Sequence, residues 1–279
     1  MNEELLHLQR VIAAESEAAG FGTLMGNASN VIVSYLQKVR HFMADLVTPI
    51  PTAALTFSQD TGLNKMLGKT NYISLGTLDI YVPQGMHVPF MELMDALEVG
   101  QQVVDNLMDG VLDPSITYFS KLLGSPETMS AASRLSEEAS IKLQEKGIAA
   151  ARAATGKCFT TNGNTTRRPY GDVFKRNQDW LTVNTKLDEL IQRMAKVPPG
   201  LVAKRVDDLV EVMDRLCLRM KQSPDVYAAN GITGAALAKV ANNLGQVVEF
   251  YAAHYFMIQM VASTMADNIK RLKEILERG

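Results

Sequence analysis

The sequence predicts a mainly α-helical protein. It reads as an elongated multi-helix bundle, one helical domain over residues 1–279, with a long C-terminal helix and a small β-hairpin or extended insertion near residues 48–89. Three observations lead there. Apolar residues recur at three- and four-residue intervals through most of the chain, which puts them on one stripe of a helix. Apolar types make up 47% of the 279 positions, enough to bury a core and too many for a disordered chain. Four of the ten prolines, Pro49, Pro51, Pro83 and Pro89, fall in one stretch of few charges. Proline cannot extend a helix and restricts the residue before it, so this stretch breaks the helical pattern.

The elements follow in order. Residues 2–19 read as a helix on Leu5, Leu8 and Ile12. A second helix over 24–47 carries Leu24, Ala28, Val31, Tyr35, Val39, Phe42 and Leu46 on one stripe. Within the insertion, Tyr72 to Leu75 and Leu78 to Val82 flank Gly76-Thr77; glycine at the first position of a two-residue loop is a hairpin signal. Helix resumes over 90–111 with Phe90, Met94, Leu97, Val104 and Leu107. Asp113-Pro114 starts a short helix to Gly124, with aspartate as cap and proline in the first turn. Ser125-Pro126-Glu127 repeats that signal and opens a long helix, rich in alanine and serine, to the neighbourhood of Phe159.

Residues 160–170, a run of threonine, asparagine and glycine ending in Arg167-Arg168-Pro169-Tyr170, read as a flexible loop. The next helix spans 172–197 with two rows of seven-residue spacing: Val173, Trp180, Leu187 and Met194, and Val183, Leu190 and Val197. Pro198-Pro199-Gly200 forces a reversal. Helix 201–221 shows the stripe Val202, Val206, Leu209, Met213, Leu216 and Met220, and Asn230-Gly231 marks the turn before the last helix.

That last helix, from Ile232 to the region of Arg278, carries three rows of seven-residue spacing. They are Leu237, Leu244, Tyr251, Ile258, Met265 and Leu272; Val240, Val247, His254, Val261, Asn268 and Ile275; and Ala241, Val248, Tyr255, Ala262, Ile269 and Leu276. Three rows are too broad for a two-stranded seam and fit a helix buried among several neighbours. Its span of roughly 65–70 Å exceeds the diameter of a compact domain of this size, so the expectation is an elongated or oligomeric molecule. The stretch from Val247 to Ala266 has Glu249 as its one formal charge and nears membrane-spanning length. The polar entries Glu249, His254 and Gln259, with the rows continuing in register on either side, favour a bundle helix instead.

The chemistry is sparse. A net charge of −2 gives no support to nucleic-acid or anionic-membrane partners. Fifteen methionines against one tryptophan suit helix packing. Cys158 and Cys217 make neither a disulfide framework nor a zinc site. The acidic start, Asn2-Glu3-Glu4, is unlike a secretory leader, so the protein is expected in the cytoplasm. The four histidines, His7, His41, His87 and His254, lack partners at metal-binding spacing. Gly20-Phe21-Gly22 lacks the preceding strand that a dinucleotide loop needs and reads as a turn between helices. Asp207, Glu211 and Asp214 share a helix face with Lys204, Arg205 and Arg215 close by, a pattern of intrahelical ion pairs. No catalytic, cofactor-binding or metal-binding residue is expected.

Two groups of residues remain as candidates. Arg167, Arg168, Lys175 and Arg176, interleaved with Tyr170, form the one basic cluster and are expected to contact a partner. His254 and Asn268, polar entries in an apolar row, are expected to set helix register.

The stretches Pro169-Tyr170-Gly171-Asp172-Val173-Phe174-Lys175-Arg176-Asn177-Gln178-Asp179-Trp180 and His87-Val88-Pro89-Phe90-Met91-Glu92-Leu93-Met94-Asp95-Ala96-Leu97 resemble helical structural proteins of large tailed bacteriophages. The resemblance is one of general style and carries no diagnostic motif. It implies a virion or assembly component, in host cytoplasm or particle, that packs against copies of itself or other structural proteins. The expected function is therefore non-enzymatic and structural, with the 48–89 segment and the 160–170 loop as contact elements. The alternatives are a membrane-active bundle similar in outline to α-helical pore-forming toxins, and an enzyme whose site is assembled across helices.

Overall fold

The computed structural model describes residues 72–74, 90–126, 146–155, 167–169 and 177–278. Over these residues the protein is mainly α-helical. The elements are strand β1 (Tyr72–Ser74), helix α1 (Phe90–Asp105), a π-helical turn (Met108–Leu112), α2 (Asp113–Gly124), β2 (Arg167–Pro169), α3 (Asn177–Met194), α4 (Pro199–Gln222), α5 (Pro224–Ala229) and α6 (Gly234–Arg278). Residues 146–155 are also helical. The helices read over 2–19 and 24–47 lie outside the described residues.

The fold divides into two compact units. Among the described residues, one draws on 106–126, Lys146 and Pro198–Ala252, and the other on 72–74, 90–105, 147–155, 167–169, 177–197 and 253–278. Each unit is assembled from segments far apart in sequence, and α6 supplies residues to both.

In the first unit α4 packs on α2. The six positions of the stripe read from sequence in α4, Val202, Val206, Leu209, Met213, Leu216 and Met220, are all buried, with Cys217 beside them. Tyr118, Phe119 and Leu122 of α2 face them from the same core. Each such aliphatic or aromatic side chain contributes about 1.5–3 kcal/mol relative to exposure.

Helix α2 begins differently from the expectation. Asp113 is not a cap: it has helical φ/ψ of −65° and −43°, and its N–H bonds to the Met108 carbonyl, five residues back. Pro114 explains this. It has no N–H to give to Gly110, and its ring crowds the carbonyl four residues before it, so the helix widens into a π turn instead of ending. The Asn106 side chain lies where a Cβ on Gly110 would stand, its Oδ1 2.2 Å from that point.

The joint between α5 and α6 is a Schellman turn. Ile232 N–H bonds to Tyr227 O at 2.9 Å, and Gly231 N–H to Ala228 O at 2.9 Å. Gly231 takes φ 69°, a left-handed conformation that glycine adopts without a Cβ penalty. Ile232 and Tyr227, the two positions such a turn brings together, are both buried. Thr233 then caps α6, its Oγ1 accepting from Ala236 N–H at 3.2 Å.

In the second unit α1 packs on α3. Leu93, Met94, Leu97 and Val104 of α1 are buried, as are Val183, Leu187, Leu190, Ile191 and Met194 of α3. Gly147 lets the 146–155 helix approach α1, since a Cβ there would stand 3.0 Å from Val103 Cγ2. The hairpin expected between Tyr72 to Leu75 and Leu78 to Val82 is not supported. β1 pairs antiparallel with β2, Tyr72 opposite Pro169 and Ser74 opposite Arg167. A strand needs a neighbour for its backbone N–H and C=O groups. Here that neighbour comes from residues read as the end of a loop. Residues 78–82 lie outside the described residues.

The three rows of α6 are buried at every position from Leu237 to Met265. The burial includes Tyr251 and His254, so the broad stripe read from sequence is a core-facing surface. No helix among the described residues is long and apolar enough to cross a membrane.

Candidate functional site

A connected set of polar side chains lies in the second unit, on α1, α3 and the second half of α6. It starts at His254. α6 places this residue in its middle row, between Val247 and Val261 at seven-residue spacing, and it is 5% exposed. Its Nε2 is 3.1 Å from Oε1 of Gln101, a residue of α1 that is 0% exposed. Gln101 Nε2 donates in turn to Asp105 Oδ1 at 2.9 Å, one helical turn further along α1. Asp105 Oδ2 accepts from Arg193 Nε of α3 at 2.9 Å and also pairs with the second guanidinium nitrogen, while the third reaches Glu98. Lys186 of α3 pairs with Asp95 of α1 on the same seam.

The direction of this chain of bonds follows from its acidic end. A carboxylate can only accept, so Gln101 must turn its NH2 group to Asp105. Its carbonyl then faces His254. The histidine meets an acceptor and must hold its proton on Nε2, which makes Nδ1 the acceptor nitrogen.

Burial lowers the His254 pKa to about 4, opposed by the charge of Asp105 and reinforced by that of Arg193. The imidazole is therefore neutral at physiological pH. Burial would also lower the pKa of Arg193, but the hydrogen bonds and charges of Asp105 and Glu98 outweigh it and raise the value. Elsewhere on α3, burial raises the Asp188 pKa to about 6, and its Oδ1 is buried without a hydrogen-bond partner among the described residues.

Chemically, this arrangement holds helices together. His254 has its Nε2 proton directed at a buried amide, and Arg193 is spent on two carboxylates. The described residues contain no group of three histidine, cysteine or acidic side chains placed to hold a metal ion.

Of the residues singled out in the sequence, His254 stands in this core. Asn268 lies on α6, but its side chain is outside the described residues. Arg167 and Arg168 lie on β2, opposite Ser74 and Ile73; Tyr170, Lys175 and Arg176 are outside the described residues. Of the acidic positions read on α4, Glu211 pairs with Arg215; Arg205 pairs with Asp208 and also reaches Asp113 of α2 at 2.9 Å. Gln101 escaped the sequence reading. Its signal was its place among Met94, Leu97 and Val104 at helical spacing, a polar residue inside an apolar stripe.

No protein family matches this chain, and neither a characterised protein nor a solved structure does so.

Proposed function

We propose that the chain is a non-enzymatic structural or assembly protein, acting through contacts with copies of itself or with other structural proteins. The observation that carries this reading is how the second unit's polar core is used. Its buried histidine and glutamine, and the half-buried arginine beside them, are directed at neighbouring helices. A polar set inside an apolar packing fixes which residues face each other, a use best attested for register and partner choice in helical assemblies. The phage-virion reading is the specific form of this proposal, with the β1–β2 ribbon, whose second strand carries Arg167 and Arg168, as the contact region.

The test is native affinity capture of the tagged full chain, with cross-linking and mass determination. Self-association or a stable complex with a structural protein supports the reading. A strictly monomeric chain that captures no partner would overturn it.

A further inference from the structure

The polar chain of the second unit runs from solvent to core. Arg193 and Asp105 keep 26% and 39% of their side-chain surface exposed, whereas Gln101 and His254 are buried. Each link depends on the one before it. Two nitrogens of Arg193 converge on Asp105 Oδ2, and these charge-assisted bonds hold that oxygen outward and leave Oδ1 turned to Gln101. The fixed carboxylate gives Gln101 NH2 its acceptor at 2.9 Å. The oriented amide in turn presents a carbonyl to His254.

We propose that Arg193 is a surface handle on the core, a positioning residue whose grip on Asp105 selects the Gln101 amide orientation and through it the His254 tautomer that holds α6 against α1. When Arg193 is taken from Asp105, the carboxylate is free to turn to water. The acceptor for Gln101 NH2 is then no longer held in place, so the outward orientation of the amide loses part of its preference and both orientations are populated. A flipped amide offers N–H to His254, and the imidazole must move its proton to Nδ1 to accept that bond. Any partner or modification that engages Arg193 is thus read out at the middle row of α6. This goes beyond the assembly reading and stands or falls without it, because the test needs only the purified chain.

The experiment is nitrogen-15 NMR of the histidine side chains in the full-length protein at neutral pH, with His254 assigned by the signal missing in His254→Gln. The wild type is expected in the Nε2–H form. Arg193→Met is expected to give a mixture containing Nδ1–H, together with at least tenfold faster amide exchange in α6 around His254. Arg193→Lys, which keeps the charge but not the fork, is expected to fall between the two. A wild-type His254 protonated on Nδ1 would overturn the proposal without any variant. So would an unchanged tautomer in a folded Arg193→Met protein. Should Arg193→Met fail to fold, Arg193→Lys decides alone: wild-type tautomer and exchange in that variant would overturn the proposal.

Discussion

Deleting one end of the His254–Gln101 bond should cost more than deleting both. His254→Leu removes the Nε2 donor and leaves the Gln101 carbonyl buried, at 0% exposure, with the loss of its 3.1 Å contact. An unsatisfied buried polar atom costs about 1–3 kcal/mol. Gln101→Met does the converse and orphans the imidazole N–H, again at about 1–3 kcal/mol, and also removes the bond to Asp105. In the double variant both sites are apolar and close to the original volumes, a change that is often nearly neutral. The double variant should therefore be more stable than the sum of the singles by about 1–3 kcal/mol. Equilibrium urea unfolding of the four proteins, with constant slopes as the check on comparability, measures this. Additive losses would refute the reasoning, because they would mean the two side chains do not depend on each other. The double variant should also lose helix register, seen as broadened amide signals in α6, if the pair specifies packing as well as stabilising it.

Three further outcomes follow from the same structure. His254 has a folded pKa of about 4 against an ordinary value of 6.5, so its contribution is fully present above pH 6.5. It is lost as pH falls towards 4, to a limit of about 3 kcal/mol. Asp188, raised to about 6, acts in the opposite sense: the folded state holds its proton more tightly, so acidification from pH 7 towards 4 favours folding. In an Asp188→Asn background, stability should therefore fall more steeply with acid than in the wild type, and His254→Gln added to that background should flatten the curve. Urea midpoints measured from pH 7 to pH 4 check both, and parallel curves for all three proteins would contradict the two assignments. Gly231→Ala, at φ 69°, should destabilise the first unit by about 1–2 kcal/mol, visible as a lower thermal midpoint.

The helices were legible because burial imposes a period. Val202, Val206, Leu209, Met213, Leu216 and Met220 could be picked out of the sequence, and each is in the core. The same holds for the rows of α6 from Leu237 to Met265. Pairings between distant segments were not legible, since nothing local to α1 says that α3 covers it or that α2 meets α4. The β1 partner was misread for a related reason. A turn signal at Gly76-Thr77 is local, while the pairing with Arg167–Pro169 spans more than ninety residues. The start of α2 was misread because Asp113-Pro114 satisfies the rules of a helix start, and a π turn absorbs the same proline without a break. At the candidate site, His254 stood out as a polar entry in an apolar row. Gln101, Asp105 and Arg193 did not, since each is ordinary on its own helix and gains meaning through contacts that cross helices.

The central claim is that this chain works by assembling, and its mass in solution tests that most directly. Light scattering on the purified full-length protein, repeated across a range of concentrations, should give a fixed multiple of the chain mass or the mass of a defined complex with a co-purified structural partner. A chain that stays at the mass of one copy at every concentration, and binds nothing in native capture, would contradict the account.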